Sequence, residues 1–194
     1  MSSKSQEIVF LQGKRINLRP LLREDIPMLL RWINDPEISR FLTAYLPVME
    51  AAEEGWLDEL SKNRNTDIVF AIVTKKGKII GTMGIHRIQW KDRVATTGAL
   101  IGDKRYQDKG YGTEAKMILL NYAFNTLNLR KICSEVIDFN QRSQAYLKKC
   151  GYKEEGRKVR HLYQDGRYRD LIQVAVFKRR WTSLWKAYKK KYLS

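Results

Sequence analysis

The sequence predicts an α/β domain built on a mixed β-sheet. Runs of alternating apolar and polar residues recur along the chain, and stretches of helical period lie between them. The 194 residues, 43% of them hydrophobic, suffice for one domain with a sizeable core. No internal repeat, low-complexity tract or Pro/Gly/Ser linker divides them.

RINLRP, residues 15–20, alternates and reads as the first strand. REDIPMLLRWINDPE follows as a helix, with Pro27 in its first turn and Asn34-Asp35-Pro36 ending it. A second helix runs from about Met49 to Lys62. IVFAIVT and IIGTMGIHRI form a hairpin across KKGK, whose Gly77 suits a tight turn. VATTGALIG, residues 94–102, is the next strand. Beyond the polar stretch DKRYQDK a helix extends to about Leu127, followed by the strand KICSEVIDF. NQRSQAYLKKCG is a helix with Asn140 as its N-cap and Gly151 as its stop. A last hairpin turns at Gln164-Asp165-Gly166. The predicted order is β-α-α-β-β-β-α-β-α-β-β, with a further helix at the C-terminus.

The stretch RYQDKGYGTEAKMILL places Gly110 and Gly112 where a helix begins. A helix N-terminus offers unpaired N–H groups and partial positive charge, which suits a diphosphate. A P-loop requires Gly-Lys followed by Ser or Thr, and none occurs. Gly110-x-Gly112-x-x-Ala115 matches a dinucleotide fingerprint, with Glu135 twenty residues on. That fingerprint's strand should run straight into the first glycine, whereas DKRYQDK intervenes here. The remaining pattern is Q-x-x-G-x-G, from Gln107 to Gly112.

With NLRPLLREDIPMLLRWINDPE, GALIGDKRYQDKGYGTEA, NLRKICSEVIDFNQRSQAYLKKCGYKEEG and DGRYRD in this order, the chain resembles the GCN5-related N-acetyltransferase (GNAT) superfamily. The resemblance spans Arg15 to about Lys178 and is greatest to the ribosomal-protein and spermidine acetyltransferase branches. It implies a GNAT domain over residues 8–179, with a mixed, mostly antiparallel twisted sheet flanked by helices. It also implies acetyl-CoA as co-substrate. The diphosphate would lie on the backbone of Gln107, Asp108, Lys109, Gly110, Tyr111, Gly112 and Thr113. The pantetheine arm would pair with the strand end at Leu100, Ile101 and Gly102. Asn140 and Ser143 would contact the cofactor, although helix capping explains both equally well. Tyr146 falls at the family position of the general acid.

The chemistry suits a tyrosine. Acetyl transfer from a thioester to an amine releases a thiolate, and a neutral phenol of pKa ~10 can protonate a thiolate whose thiol has pKa ~8.5. Cys150 lies at a helix C-terminus, where the dipole weakens a thiolate, so an acyl-cysteine route is disfavoured and direct attack by the amine is expected. Core packing is expected for Cys150 and Cys133. His86, Glu135 and Asp170 are candidate bases for the amine, and water could serve instead.

Two cysteines and two scattered histidines, His86 and His161, give no metal-site spacing, so no metal is expected. No apolar run approaches the roughly 20 residues that cross a bilayer, and MSSKSQEIVF lacks a signal-peptide core. The chain therefore reads as soluble and cytoplasmic. A formal charge of +16 favours anionic partners. Residues 180–194 form a basic tail with Trp181, Leu184, Trp185, Tyr188 and Tyr192 at helical spacing. That stripe fits packing on the domain or on a second subunit in a homodimer, an RNA or ribosome contact, or an interfacial membrane helix. The acceptor is read as a primary amine: a protein N-terminus or an amino-sugar first, with a polyamine or aminoglycoside as alternatives. Glu50, Glu53, Glu54, Asp58 and Glu59 are the acidic patch that could serve a polycation. The rival class is a non-catalytic ribosome- or RNA-binding module that reuses the fold.

Overall fold

The computed structural model describes residues 8–63 and 65–192. Residues 1–7, where the signal-peptide reading rests, and the last two residues of the tail lie outside the described residues.

The observed strands are β1 (Leu11–Gln12), β2 (Ile16–Pro20), β3 (Ile68–Thr74), β4 (Ile79–Gln89), β5 (Val94–Ile101), β6 (Lys131–Ile137), β7 (Lys153–Gln164) and β8 (Arg167–Phe177). They form one eight-stranded sheet in the order β1-β2-β3-β4-β5-β6-β8-β7. Only the β5–β6 pair is parallel. The mixed sheet of the predicted order is observed, with the two-residue β1 added as a short edge. Both predicted hairpins form; Gly77 has φ of 77°, and Asp165 and Gly166 have φ of 52° and 76°, the left-handed pair a tight turn requires.

The first predicted helix ends where expected, and a short unpredicted turn follows it. α1 (Ile26–Ile33) ends at Asn34, and Asp35 then caps a separate turn, α2 (Pro36–Ser39), by accepting the Glu37 N–H at 2.9 Å. α3 (Glu50–Lys62) packs on α1. Arg19 and Asp25, both buried, form a two-pronged ion pair at 2.7 and 2.8 Å that ties β2 to the start of α1.

α4 (Tyr111–Asn121) is buried on all sides from Glu114 to Leu120. The sheet covers one side; α5 (Gln141–Lys149) and α6 (Lys178–Tyr192) flank the rest. Its C-terminal continuation widens into a π turn over Tyr122–Thr126, closed by Leu127 N–H on the Tyr122 carbonyl at 3.0 Å. α6 starts directly after β8, two residues before the predicted tail, and it is no appendage. Trp181 is 1% exposed, its ring 5.2 Å from that of Phe124 within the main core. No described helix is long and apolar enough to cross a membrane.

Candidate active site

The parallel contact between β5 and β6 lasts three residue pairs, Val94–Lys131 to Thr96–Cys133. Beyond it the strands diverge, because β5 continues along β4 while β6 follows β8. Two hydroxyls bridge the point of divergence: Ser134 Oγ donates to the Thr97 carbonyl at 3.0 Å, and Thr97 Oγ1 donates to the Cys133 carbonyl at 3.3 Å. Past Thr97, β5 has a free edge. The Ile101 carbonyl on that edge accepts the Gln107 carboxamide N–H at 2.7 Å. Ala99, two residues from each, turns its own N–H and C=O the same way, so Ala99 supplies the unpaired edge.

The wedge opens into a cleft of about 540 Å³. Its floor is the N-terminus of α4. Gly110, at φ of 80°, is the N-cap residue and has no side chain to fold back over the helix end. The first helical bond of α4 runs from Glu114 N–H to the Gly110 carbonyl, leaving the N–H groups of Tyr111, Gly112 and Thr113 without a carbonyl one turn back. A Cβ on Gly112 would touch only Ile101, at 3.5 Å, so any larger side chain there would project into the cleft.

Leu100, Ile101, Gln107, Asp108, Gly110, Gly112, Thr113, Asn140, Ser143 and Tyr146 all line this cleft. Three of the expected cofactor residues do not. Gly102 is occupied from the other side: a Cβ there would overlap the Trp32 ring, which explains the glycine by packing. Lys109 offers its carbonyl to Arg15 at 2.9 Å. The Tyr111 ring carries the Arg15 guanidinium 4.4 Å from its centre, and only its backbone serves the helix end. Arg15 in turn holds buried Glu114 at 2.7 Å, which fixes α4 against β2. Gln107 commits both ends of its carboxamide, to Ile101 and to Arg142 at 2.7 Å, so its side chain braces the loop. Asn140 caps α5 by accepting the Ser143 N–H at 3.0 Å.

The Tyr146 hydroxyl is buried, its residue lines the cleft, and it has no hydrogen-bond partner among the described residues. Desolvation, with Cys150 and Tyr152 nearby, raises its pKa well above 10, so the phenol is neutral and keeps its proton to give. Cys150 is buried and its thiol is pushed up to about 12, chiefly by desolvation, which leaves it unfit as a nucleophile. Cys133 departs from its expected core position. It is half-buried at a second cavity of about 530 Å³ near the β5–β6 contact, and desolvation raises its pKa too.

None of the candidate bases lines the main cleft. His86 pairs with Asp67 at 3.0 Å. Glu135 pairs with Lys158 at 2.9 Å beside the second cavity. Asp170 accepts the Arg160 N–H at 2.8 Å where β7 is irregular, and Arg160 has φ of 50°. Its carboxyl lies below the usual range through that bond and Arg157, the signature of a structural acid.

The opposite wall comes from segments the sequence did not mark: Ile38, Phe41 and Leu42 around α2, with Arg142 and Lys149 on α5. Phe41 meets Phe139 with ring centres 5.6 Å apart, and Arg40 pairs with Asp165 of the β7–β8 turn at 2.9 Å. Arg142 follows the recognisable cap Asn140, which was the one available signal.

The free strand edge, the unpaired amides over two glycines and the unpartnered phenol together fit an elongated acyl carrier with a diphosphate. Among the described residues no group of three or more His, Cys, Asp or Glu could hold a metal ion.

Comparison with known proteins agrees with this arrangement. A family model described as "Acetyltransferase (GNAT) domain" matches residues 15–153. The spermidine N(1)-acetyltransferase of Escherichia coli strain K12 is 26% identical over 166 residues, 84% of this chain and 86% of that protein. A putative ribosomal N-acetyltransferase, YdaF of Bacillus subtilis strain 168, is 31% identical over 105 residues, 54% of this chain and 57% of its own length. Among solved structures, spermidine N-acetyltransferase from Vibrio cholerae in complex with CoA and spermine superposes with a TM-score of 0.81 at 23% identity. It covers 87% of this chain and 98% of that one.

Proposed function

This chain belongs to the GNAT acetyltransferase family, and from that premise we propose that it acetylates the amino terminus of a polypeptide in the cytoplasm, with Tyr146 as general acid. It is an acetyl-CoA-dependent N-acetyltransferase; the acceptor and the residue roles are the proposal.

Acetyl-CoA supplies an activated acetyl group and a thiol leaving group. The amides of Tyr111, Gly112 and Thr113 would hold the diphosphate, aided by the partial positive charge of the helix end. Ala99 would pair with the extended arm as an added strand does. Tyr146, neutral and unpartnered, would donate its proton to the departing sulfur. With His86, Glu135 and Asp170 all engaged outside the cleft, water would carry the proton from the acceptor amine.

The acceptor reading rests on the lining of the cleft. Among the described residues its only carboxylate is Asp108, 3.7 Å from Arg142, and Lys149 adds further positive charge. A polycation would meet repulsion there, whereas an uncharged amine flanked by a small apolar residue would meet Ile38, Phe41 and Leu42. The acidic residues of α3 do not line the cleft. A polyamine acceptor is the second reading, favoured by the spermidine relatives alone. Arg179, Arg180, Lys186 and Lys189 are exposed on α6 and would suit a ribosomal or RNA-bound acceptor.

A panel of amines assayed by thiol release tests this reading. Peptides with a free amino terminus should exceed spermidine and aminoglycosides in kcat/KM at least ~10-fold. Spermidine preferred by that margin would replace the peptide reading with the polyamine one. Tyr146→Phe should lower kcat about 100-fold or more and leave acetyl-CoA binding intact.

A further inference from the structure

Lys116 is among the largest fully buried side chains of the molecule, at 0% exposure. Its Nζ has no hydrogen-bond partner among the described residues. A lysine in such a place ordinarily has a carboxylate beside it. The buried carboxylate of α4, Glu114, is committed to the Arg15 side chain at 2.7 Å and to the Arg15 N–H at 2.8 Å. Among the described residues no carboxylate pairs with the amine.

What does face it is aromatic and weakly acidic. Lys116 Nζ lies 5.9 Å from the ring centre of Tyr146 on α5 and 6.0 Å from that of Tyr152, in the link to β7. Cys150, at the end of α5, interacts with it electrostatically. Lys149 acts on Cys150 from the same helix, and Tyr188 of α6 interacts with Glu114 and Cys150. Tyr152 is itself satisfied, its hydroxyl 2.9 Å from Thr97 Oγ1 at the point where the sheet divides. Tyr146 is therefore the neighbour that has both a bare hydroxyl and an outlook on the cleft.

We propose that Lys116 is a positioning residue for the Tyr146 phenol. Its ammonium, over the ring at 5.9 Å from the centre and without a counter-charge among the described residues, stabilises the phenolate that remains when Tyr146 gives up its proton. The inference rests on the reading of Tyr146 as proton donor. In that step the Tyr146 O–H bond breaks as an S–H bond forms on the departing sulfur. The proton shed by the attacking amine, carried by water, restores the phenol, and Lys116 ends the cycle as it began. A unit charge ~6 Å away at an effective dielectric of ~20 changes phenol acidity about 100-fold, enough to govern the step. An unpaired amine in a core is unfavourable for folding, and such features gather where function needs them.

The first test needs no acceptor and no cofactor. With tyrosine carbon-13-labelled at Cζ, the Tyr146 resonance is the one missing from Tyr146→Phe. It should shift with pH and inflect near 7, where burial places the Lys116 amine, and stay flat in Lys116→Met. The second compares turnover of wild type and Lys116→Met with one peptide acceptor, so that ionisation of the acceptor cancels in the ratio. The ratio should be about 10- to 100-fold at pH ~6 and fall to about 1- to 4-fold by pH ~8.5, as the wild-type amine loses its charge. In a Tyr146→Phe background, Lys116→Met should have no further effect. Lys116→Gln, neutral and polar, serves the same comparisons if the methionine variant does not fold. A flat Tyr146 resonance in the wild type, or a ratio constant with pH, overturns the role of Lys116 while leaving an impaired Tyr146→Phe to uphold the proton donor. Wild-type turnover in Tyr146→Phe removes the donor reading and this proposal with it.

Discussion

The two walls of the cleft are built in different ways. The α4 wall comes from one contiguous segment, Gln107 to Thr113, and acts mainly through backbone. Its groups point where they do because a helix must begin there and because Gly110 carries no side chain to cap it. The opposite wall gathers Ile38 from α2 and Phe41 and Leu42 from the segment just after it, with Arg142 and Lys149 from α5. Ile38 is buried with Leu29 and Trp32, whereas Phe41 and Leu42 beyond it are half-buried, and their segment is tied outward by exposed pairs such as Arg40–Asp165 and Lys104–Glu37, the latter at 2.7 Å. Exposed pairs contribute little, ~0–1 kcal/mol each. In the proposed reading the first wall would seat the anion that any acyl carrier of this kind brings, and the second, anchored at Ile38 but weakly pinned at Phe41 and Leu42, would set the choice of acceptor.

The sharpest way to break this contrast is at Gly112. Gly112→Val should project its methyls into the cleft and weaken acetyl-CoA binding about 10- to 100-fold, with acceptor KM unchanged. Gly112→Ala should keep binding within about 3-fold and stabilise the helix by ~0.5–1 kcal/mol, because a Cβ alone is accommodated. Titration calorimetry with coenzyme A and a urea melt separate the two effects.

Lys116 bears on the rigid side of the comparison through stability. Burial lowers its pKa from 10.5 to about 7, so folding favours the neutral amine. The penalty is absent above pH ~10.5, grows as pH falls towards ~7 and is constant below. Lys116→Met should therefore be more stable than wild type, by on the order of 4 kcal/mol at pH 7 and by under ~1 kcal/mol at pH ~10. Urea unfolding at several pH values reads this directly; a gap that widens towards alkaline pH would contradict it.

The smallest effect is expected at the weakly pinned wall. Phe41→Ala should raise the acceptor KM about 3- to 10-fold, leave acetyl-CoA affinity within about 2-fold and change stability by ~1 kcal/mol or less, since Phe41 is only half-buried. Steady-state kinetics with each substrate varied in turn gives the split.

The same contrast explains what could be read from residues alone. Features that depend on local backbone chemistry were legible: the glycines before α4, the Asn140 cap of α5, the hairpins at Gly77 and Gly166. Features that depend on what packs from elsewhere were not. Gly102 reads as cofactor edge until the Trp32 ring is seen to fill its missing side chain. Ala99, the residue with the free edge, has no sequence signal, because the edge exists only where β5 and β6 part. Lys116 within AKMILL looks like the solvent face of an amphipathic helix. Only the burial of α4 by both α5 and α6 turns it inward. EISRFL, which supplies the opposite wall, carries no motif of its own between two predicted helices.

The most direct test is a crystal structure of this protein with coenzyme A. The diphosphate should lie on the amides of Tyr111, Gly112 and Thr113, the arm alongside Ala99, and the sulfur within hydrogen-bond reach of the Tyr146 hydroxyl. Coenzyme seated in the second cavity beside Cys133, or a sulfur beyond reach of Tyr146, would contradict it.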